Sequence, residues 1–168
     1  MTSNSQNGFS LIELLIVVAL IGVITAIAIP NLLASRRAAN ESSALAAIRI
    51  ISSGEATYQA TAGAGQFGDL AALANHKLVD VVVGAATIGS GTPKSGYLFS
   101  AENITGAGLP AFDAKSQPSV HTSASNLSGT GSRSFFVNEA GVIYYNTTDT
   151  APTCTATSAR TVTGTHLN

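Results

Sequence analysis

The apolar residues of this chain are concentrated near its N-terminus. An apolar run of 21 residues extends from Phe9 to Ile29, and its one strongly polar member is Glu13. A helix of that length covers about 30 Å, which is the thickness of the hydrocarbon core of a bilayer. Because the run is apolar on every side, it suits lipid or a fully buried bundle. The pattern therefore predicts a transmembrane helix over residues 9–30.

The helical pattern continues beyond this run and becomes amphipathic. Leu45, Ile48 and Ile51 fall on one stripe, and Tyr58 follows two turns later. We expect one long helix that ends near Ala60, whose second half, residues 31–61, can cover a sheet. Pro30 removes a backbone donor and Gly22 weakens the preceding turns, so a kink or a melted stretch is expected between them.

Residues 62–168 are expected to form a globular head. Asp69 is placed to cap a short helix that ends near Asn75. The apolar residues 78–83 fit either a strand or a buried loop, and the glycine-rich residues 89–93 indicate a turn. Alternating patterns predict short strands at residues 96–100, around Val120, at 134–137 and at 142–145.

The last two of these strands form the clearest hairpin, because residues 138–141 end in a glycine where the turn needs a left-handed residue. Ser, Thr and Gly dominate residues 116–132 and the chain after Asn146, which predicts exposed loops and a weakly ordered tail. The fold class is α+β, a long N-terminal helix packed on a small C-terminal antiparallel sheet. The aromatic residues expected in the sheet core against the helix are Tyr97, Phe99, Phe136, Tyr144 and Tyr145.

Charge and cysteine content narrow the possible functions. Charged residues make up 10% of the chain, the net charge is -1, and apart from Arg36 and Arg37 the basic residues are scattered singly. No basic face is offered to a nucleic acid. Cys154 is the only cysteine, so an intramolecular disulfide is impossible, and a buried, inert thiol is expected.

The sequence carries no recognisable catalytic, cofactor-binding or metal-binding pattern. His76, His121 and His166 are far apart and have no metal-ligand spacing with Cys or carboxylate residues. There is no phosphate-binding glycine loop, nucleophile elbow or alternating acidic calcium loop. We therefore predict that the protein is not an enzyme, has no cofactor, and does not bind nucleic acid.

The first eight residues, MTSNSQNG, are polar and contain no Lys or Arg. An ordinary secretory signal peptide carries positive charge there, although Ala26-Ile27-Ala28 would formally provide its small-x-small cleavage site. Glu13 also argues against a signal peptide, because a carboxylate within the hydrocarbon costs about 2.5–3.5 kcal/mol. A residue that expensive to insert requires a specific partner.

The run GFSLIELLIVV at residues 8–18, followed by AIAIPN at 26–31, resembles the processing site and N-terminal helix of type IV pilins and type II secretion pseudopilins. The resemblance implies that a membrane prepilin peptidase cuts after Gly8, removes the leader of residues 1–8, and methylates the new N-terminus at Phe9. Glycine at the cut site lets a protease groove approach the backbone closely. Gly8 and Phe9 are thus the expected processing residues.

The same resemblance implies assembly roles for Phe9, Glu13, Gly22 and Pro30. Glu13 would pair with the Phe9 amine of a neighbouring subunit, since an α-amino group is largely protonated at neutral pH. Taken alone, Glu13 could instead lie near the lipid headgroups. The stretch from Gly22 to Pro30 is the candidate for unwinding during assembly, and a simple proline kink is the alternative.

Three functions fit these residues. The first is the homopolymeric subunit of a type IV pilus, which would be a bacterial inner-membrane precursor that an assembly platform transfers into an extracellular filament. The second is a pseudopilin of a type II secretion system, and the third is a single-pass anchored adhesin or binding module that never polymerises. The Gln6-Asn7 pair replaces the basic residue that many family members carry before the glycine, so membrane orientation follows from the resemblance and not from charge.

Overall fold

The computed structural model describes residues 8–104, 108–123, 126, 128–155 and 160–167. The leader upstream of Gly8 lies outside these residues. The chain divides into two compact units, Met1–Ser35 and Arg36–Asn168. The helices are α1 (Leu11–Ala60), α2 (Leu70–Asn75) and α3 (Val81–Ala85), and the strands are β1 (Tyr97–Ile104), β2 (Ala111–Pro118), β3 (Ser134–Asn138), β4 (Ile143–Asn146) and β5 (Thr165–His166).

Helix α1 confirms the long N-terminal helix and ends at Ala60, as expected from the sequence. Pro30 lies inside it, and the helix is unbroken from Gly22 to Pro30. The stretch is therefore not melted in the single subunit, so that part of the expectation is wrong here. Proline deletes one hydrogen bond of the ladder, and the bonds on either side are sufficient to keep the helical path.

The five strands form one antiparallel sheet in the order β1-β2-β3-β4-β5, so each strand pairs with its neighbour in the chain. One face of the sheet packs on the second half of α1. Ile48 and Ile51 are fully buried in this core, and Leu45 and Tyr58 pack against it partly exposed, which confirms the predicted stripe. The α+β class is likewise confirmed. The buried sheet residues of this core are Tyr97, Phe99, Ala101, Phe112, Ala114, Phe135 and Val137.

Strand β2 was not predicted, and the weak strand expected around Val120 is absent from the described residues. Strand β2 reads AFDAKSQP and contains no β-branched residue, so its sequence carries little strand signal. Its pairing with β1 places Ser116 opposite Phe99 and Ala114 opposite Ala101. A small residue suits position 116 because Ser116 lies between the buried aromatic residues Phe99 and Phe135 of the neighbouring strands. Val120, by contrast, is 46% exposed.

Residues 78–83 form neither a strand nor a buried loop. Asp80 caps α3, its Oδ1 accepting a hydrogen bond from the Val82 N–H at 3.2 Å. Asp69 caps α2 as predicted, its Oδ1 accepting from the Ala72 N–H at 2.7 Å. The apolar run was misleading because only some of it is buried: Val79 and Val83 face the core.

The predicted hairpin joins β3 and β4. Phe135 pairs with Tyr145 and Phe136 with Tyr144. The turn is closed by the Gly141 N–H, which donates to the Asn138 carbonyl at 2.9 Å, and Gly141 has a φ of 73°. A side chain is strained at that φ, which explains the glycine.

The aromatic prediction is wrong for two residues, because Phe136 and Tyr144 lie on the face of the sheet opposite to α1. Alternation along β3 sends Phe135 towards the helix and Phe136 away from it. Phe136 is nevertheless fully buried, with its ring centroid 6.5 Å from that of Tyr144. Tyr144 in turn contacts His166 of β5. The outer face is thus covered by the C-terminal segment.

The C-terminal segment is not a weakly ordered tail in its described part. Arg160 forms ion pairs with Asp113 of β2 and, at 2.7 Å, with Glu139 of the hairpin turn. Burial raises the pKa of Asp113 even with Arg160 beside it. Cys154 is half-buried, accepts from the Asn138 amide at 3.8 Å, and has its thiol pKa raised by burial, which disfavours a reactive thiolate. Charges and hydrogen bonds hold this segment, where the sequence indicated only Ser and Thr.

Candidate assembly segment

The described part of the first unit is almost entirely exposed and apolar. Phe9 is 85% exposed, Leu11 80% and Ile27 66%. Helix α1 is the one helix of the described residues long and apolar enough to cross a membrane, and none of its most apolar 18-residue window is buried within the protein. An apolar surface of this extent requires lipid or other protein around it.

Gly8 and Phe9, the predicted processing residues, precede this helix. Gly8, Phe9 and Ser10 are exposed and lie outside regular secondary structure, before α1 begins at Leu11. A Cβ added to Gly8 would meet no atom within 4 Å. Packing within the subunit therefore does not require glycine at this position. Such a requirement has to come from an external partner that binds the exposed backbone.

Glu13 lies in the first turn of α1, where a carboxylate is favoured by the helix dipole. It is exposed, and it is the only charged side chain of residues 1–35. The nearest basic residue along the chain is Arg36, more than six turns of helix away. Residues 1–35 therefore contain no basic side chain that could pair with this carboxylate in an apolar surrounding.

The stretch from Gly22 to Pro30 has a weakened hydrogen-bond ladder, although it is helical. Pro30 has no N–H to donate to the carbonyl of Ala26, four residues earlier. The Thr25 hydroxyl donates to the carbonyls of Ile21 at 3.0 Å and Gly22 at 3.1 Å. Hydroxyl bonding of this kind competes with the backbone and bends helices. Thr25 therefore contributes to the weak stretch, a role that the sequence pattern does not indicate.

The second half of α1 presents a different environment. Glu41 is buried, and its Oε1 accepts from both the N–H and the hydroxyl of Ser132 at 2.8 Å. The Arg133 Nε donates to Oε2 at 2.8 Å. Burial alone raises the pKa of Glu41, but these hydrogen bonds outweigh it and hold the pKa below its usual value. This network attaches α1 to the start of β3.

The N-terminal segment matches known proteins. Residues 3–29 match the family model of the prokaryotic N-terminal methylation motif. Over 37 residues the chain is 57% identical to the type IV wide pilus major component PilA4 of Thermus thermophilus. The match covers 22% of this chain and 28% of that protein, so most of each chain lies outside it. No solved structure matches the chain.

Proposed function

We propose that this chain is the structural subunit of a type IV pilus, because residues 3–29 match the prokaryotic N-terminal methylation motif and resemble the N-terminal segment of type IV pilins. The observation that carries the proposal is the fully exposed apolar half of α1, whose single charge is Glu13. A helix of this kind can span a bilayer as a precursor and later bury the same surface against copies of itself. Other copies of the same chain then supply the protein surface that this helix requires.

Processing comes first in this scheme. A prepilin peptidase cuts between Gly8 and Phe9, and the new amine of Phe9 is methylated. Support comes from the exposure of both residues and from the open space around Gly8, which leaves the scissile backbone accessible. The cut creates the cation that residues 1–35 otherwise lack.

Assembly then pairs this amine with Glu13 of a neighbouring subunit. Pairing removes the cost of an isolated carboxylate in an apolar surrounding, and it fixes the axial register of one helix against the next. Because the same contact repeats between successive subunits and does not close on itself, it produces an open helical fibre. The precursor would lie in the bacterial inner membrane, and an assembly platform would transfer it into a fibre on the cell surface.

Residues Gly22–Pro30 are the part of α1 that we expect to extend within the fibre. The missing donor at Pro30 lowers the number of ladder bonds that unwinding must break, and the Thr25 hydroxyl competes with backbone donors for the carbonyls of Ile21 and Gly22. Extension would lengthen this apolar segment. It would leave the contacts between α1 and the sheet intact, because they lie within the second unit, Arg36–Asn168.

A pseudopilin of a type II secretion system uses the same processing and the same charge pair. It differs in product, because it forms short periplasmic assemblies. A membrane-anchored adhesin differs more strongly, because it never polymerises.

One experiment separates the three functions: deletion of the gene, followed by electron microscopy of the cells and identification of the subunit in sheared fibres. A pilus subunit predicts long surface fibres that contain this chain and disappear with the gene. Unchanged fibres together with lost protein secretion would favour the pseudopilin. A chain found only in membranes, with its residues 1–8 intact, would favour the anchor.

A further inference from the structure

Helix α1 carries a third acidic residue, Glu55, that no step of assembly uses. Glu55 is 0% exposed. Its Oε2 accepts a hydrogen bond from the Gly68 N–H at 2.9 Å, whereas its Oε1 has no hydrogen-bond partner among the described residues. An ionised carboxylate buried with a single hydrogen bond is strongly disfavoured, so this site fits the neutral acid.

The charge next to Glu55 also favours the neutral acid. Asp69, which caps α2, is the charged side chain that acts on it, and the effect is repulsive. A further titratable group, His76 after α2, lies beside this contact, because its ring centroid is 5.3 Å from that of Tyr58, whose ring lies against Gly68. Burial first, and then Asp69, raise the pKa of Glu55 to about 7, although the bond from Gly68 lowers it.

The Gly68 N–H that Glu55 holds belongs to the segment that connects α1 to α2. Residues 61–69 connect α1 to α2 without regular structure and contain three glycines. Ala64 has a φ of 48°, in the left-handed region that strains a residue with a side chain. A Cβ on Gly68 would lie 3.2 Å from the Tyr58 ring, so only glycine brings this backbone close enough to Glu55. The bond to Gly68 ties the end of the segment to the helix.

We propose that Glu55 is a proton-dependent latch between helix α1 and residues 61–69. The neutral carboxyl stays buried and holds Gly68 in place. Ionisation draws the carboxylate towards water and away from Asp69, which releases Gly68 and loosens the segment. This device belongs to the head, and it does not depend on the proposed pilus function.

The direction of the pH effect follows from linkage. A group with a folded pKa raised from 4.5 to about 7 contributes stability below pH 4.5 that is lost as the pH rises to 7 and above. Between pH 5 and pH 8 this single group changes the unfolding equilibrium constant by up to about 70-fold in favour of the unfolded state. The latch thus operates across neutral pH.

The test is urea unfolding of the full chain in detergent micelles at several pH values. The Glu55→Gln variant keeps an acceptor for Gly68 but cannot ionise, so we expect its unfolding constant to lack the increase between pH 5 and pH 8. Glu102→Gln, which removes an exposed carboxylate of β1, is the matched control and should behave as the wild type. A Glu55→Gln variant with the wild-type pH dependence would overturn the proposal.

A second measurement needs no variant. Nuclear magnetic resonance of the wild-type chain, labelled at glutamate side chains and backbone amides, follows Glu55 and Gly68 together. We expect both signals to titrate with one midpoint near pH 7. A Glu55 midpoint near its ordinary value, or a Gly68 amide that does not respond, would contradict the latch.

Discussion

The two halves of helix α1 have similar secondary structure and opposite surroundings. In the first unit, Ile12, Ile16 and Ile24 are each more than half exposed. In the second, Ile48 and Ile51 are completely buried against the sheet. Helical geometry therefore says nothing by itself about where the stability of a segment comes from. The second half is stabilised by its own head, whereas the first half has no partner within the subunit.

The polar residues of the two halves differ in the same way. Glu41 has three donors from Ser132 and Arg133, all within the second unit. Glu13 has no basic residue within the first unit. The comparison teaches that Glu41 finds its hydrogen-bond donors inside the second unit, whereas residues 1–35 offer Glu13 no basic side chain. Substitutions can test this division one half at a time.

The largest expected effect is on processing. Gly8→Leu should abolish cleavage, because a bulky side chain keeps the backbone out of a narrow protease groove, while the fold tolerates it in open space. The measurement is the mass of the chain in membranes. Gly22→Ala, also in open space within the first unit, is the control and should be cleaved normally. Normal cleavage of Gly8→Leu would refute the cut site.

The next effect is on assembly. Glu13→Gln should be cleaved but should reduce fibre yield by about tenfold or more, because the Phe9 amine would be left without its carboxylate. Fibre yield is measured by shearing cells and weighing the pelleted fibres. Glu102→Gln removes the same charge from the exposed surface of the head and should leave the yield unchanged. Wild-type yield from Glu13→Gln would show that the charge pair is unnecessary.

A third pair of variants compares neighbouring isoleucines of the second half. Ile48→Ala should lower the free energy of unfolding of the head by about 2–5 kcal/mol, because it empties a fully buried position. Ile50 is 49% exposed, so Ile50→Ala should lower the free energy of unfolding far less. Urea unfolding in detergent measures both. Equal losses would contradict the assignment of the buried face.

The smallest effect concerns Glu41. Because its folded pKa is lowered, its contribution is present above pH 4.5 and is lost as the pH falls through the folded value. Glu41→Gln should therefore cost about 1–2 kcal/mol at neutral pH, with a smaller difference from the wild type in acid. Unfolding curves at pH 7 and pH 3 provide the comparison. A difference independent of pH would mean that packing, not charge, is what the substitution removes.

The sequence predicted the parts of the fold that depend on local periodicity. Helix α1, the Asp69 cap and the hairpin turn at Gly141 each follow from a short pattern. Strand β2 could not be predicted in this way, because its residues have low strand propensity and its small Ser116 fits between Phe99 and Phe135, which only the folded sheet brings together. Tertiary packing across the sheet is the missing information.

The same reason explains the C-terminal segment. Arg160 lies far along the chain from Asp113, and only the folded sheet brings them together. The polar composition therefore indicated a loose tail. In the structure, ion pairs fix the C-terminal segment, and Phe136 is fully buried. The candidate assembly segment was easier to predict from the sequence than the C-terminal segment. Its residues are close together in the chain, and its chemistry depends on exposure, length and one isolated charge. The contribution of Thr25 to the weak stretch became visible only from the hydrogen bonds of its hydroxyl group.

The central claim is that the chain is cleaved before Phe9 and that the exposed first half of α1 then forms the contact between copies of this chain. The intact mass of the subunit from sheared surface fibres tests it most directly. We predict a chain that begins at Phe9 and carries one added methyl group. A fibre subunit that begins elsewhere, or fibres that lack this chain while the membrane retains it from Met1, would contradict the account.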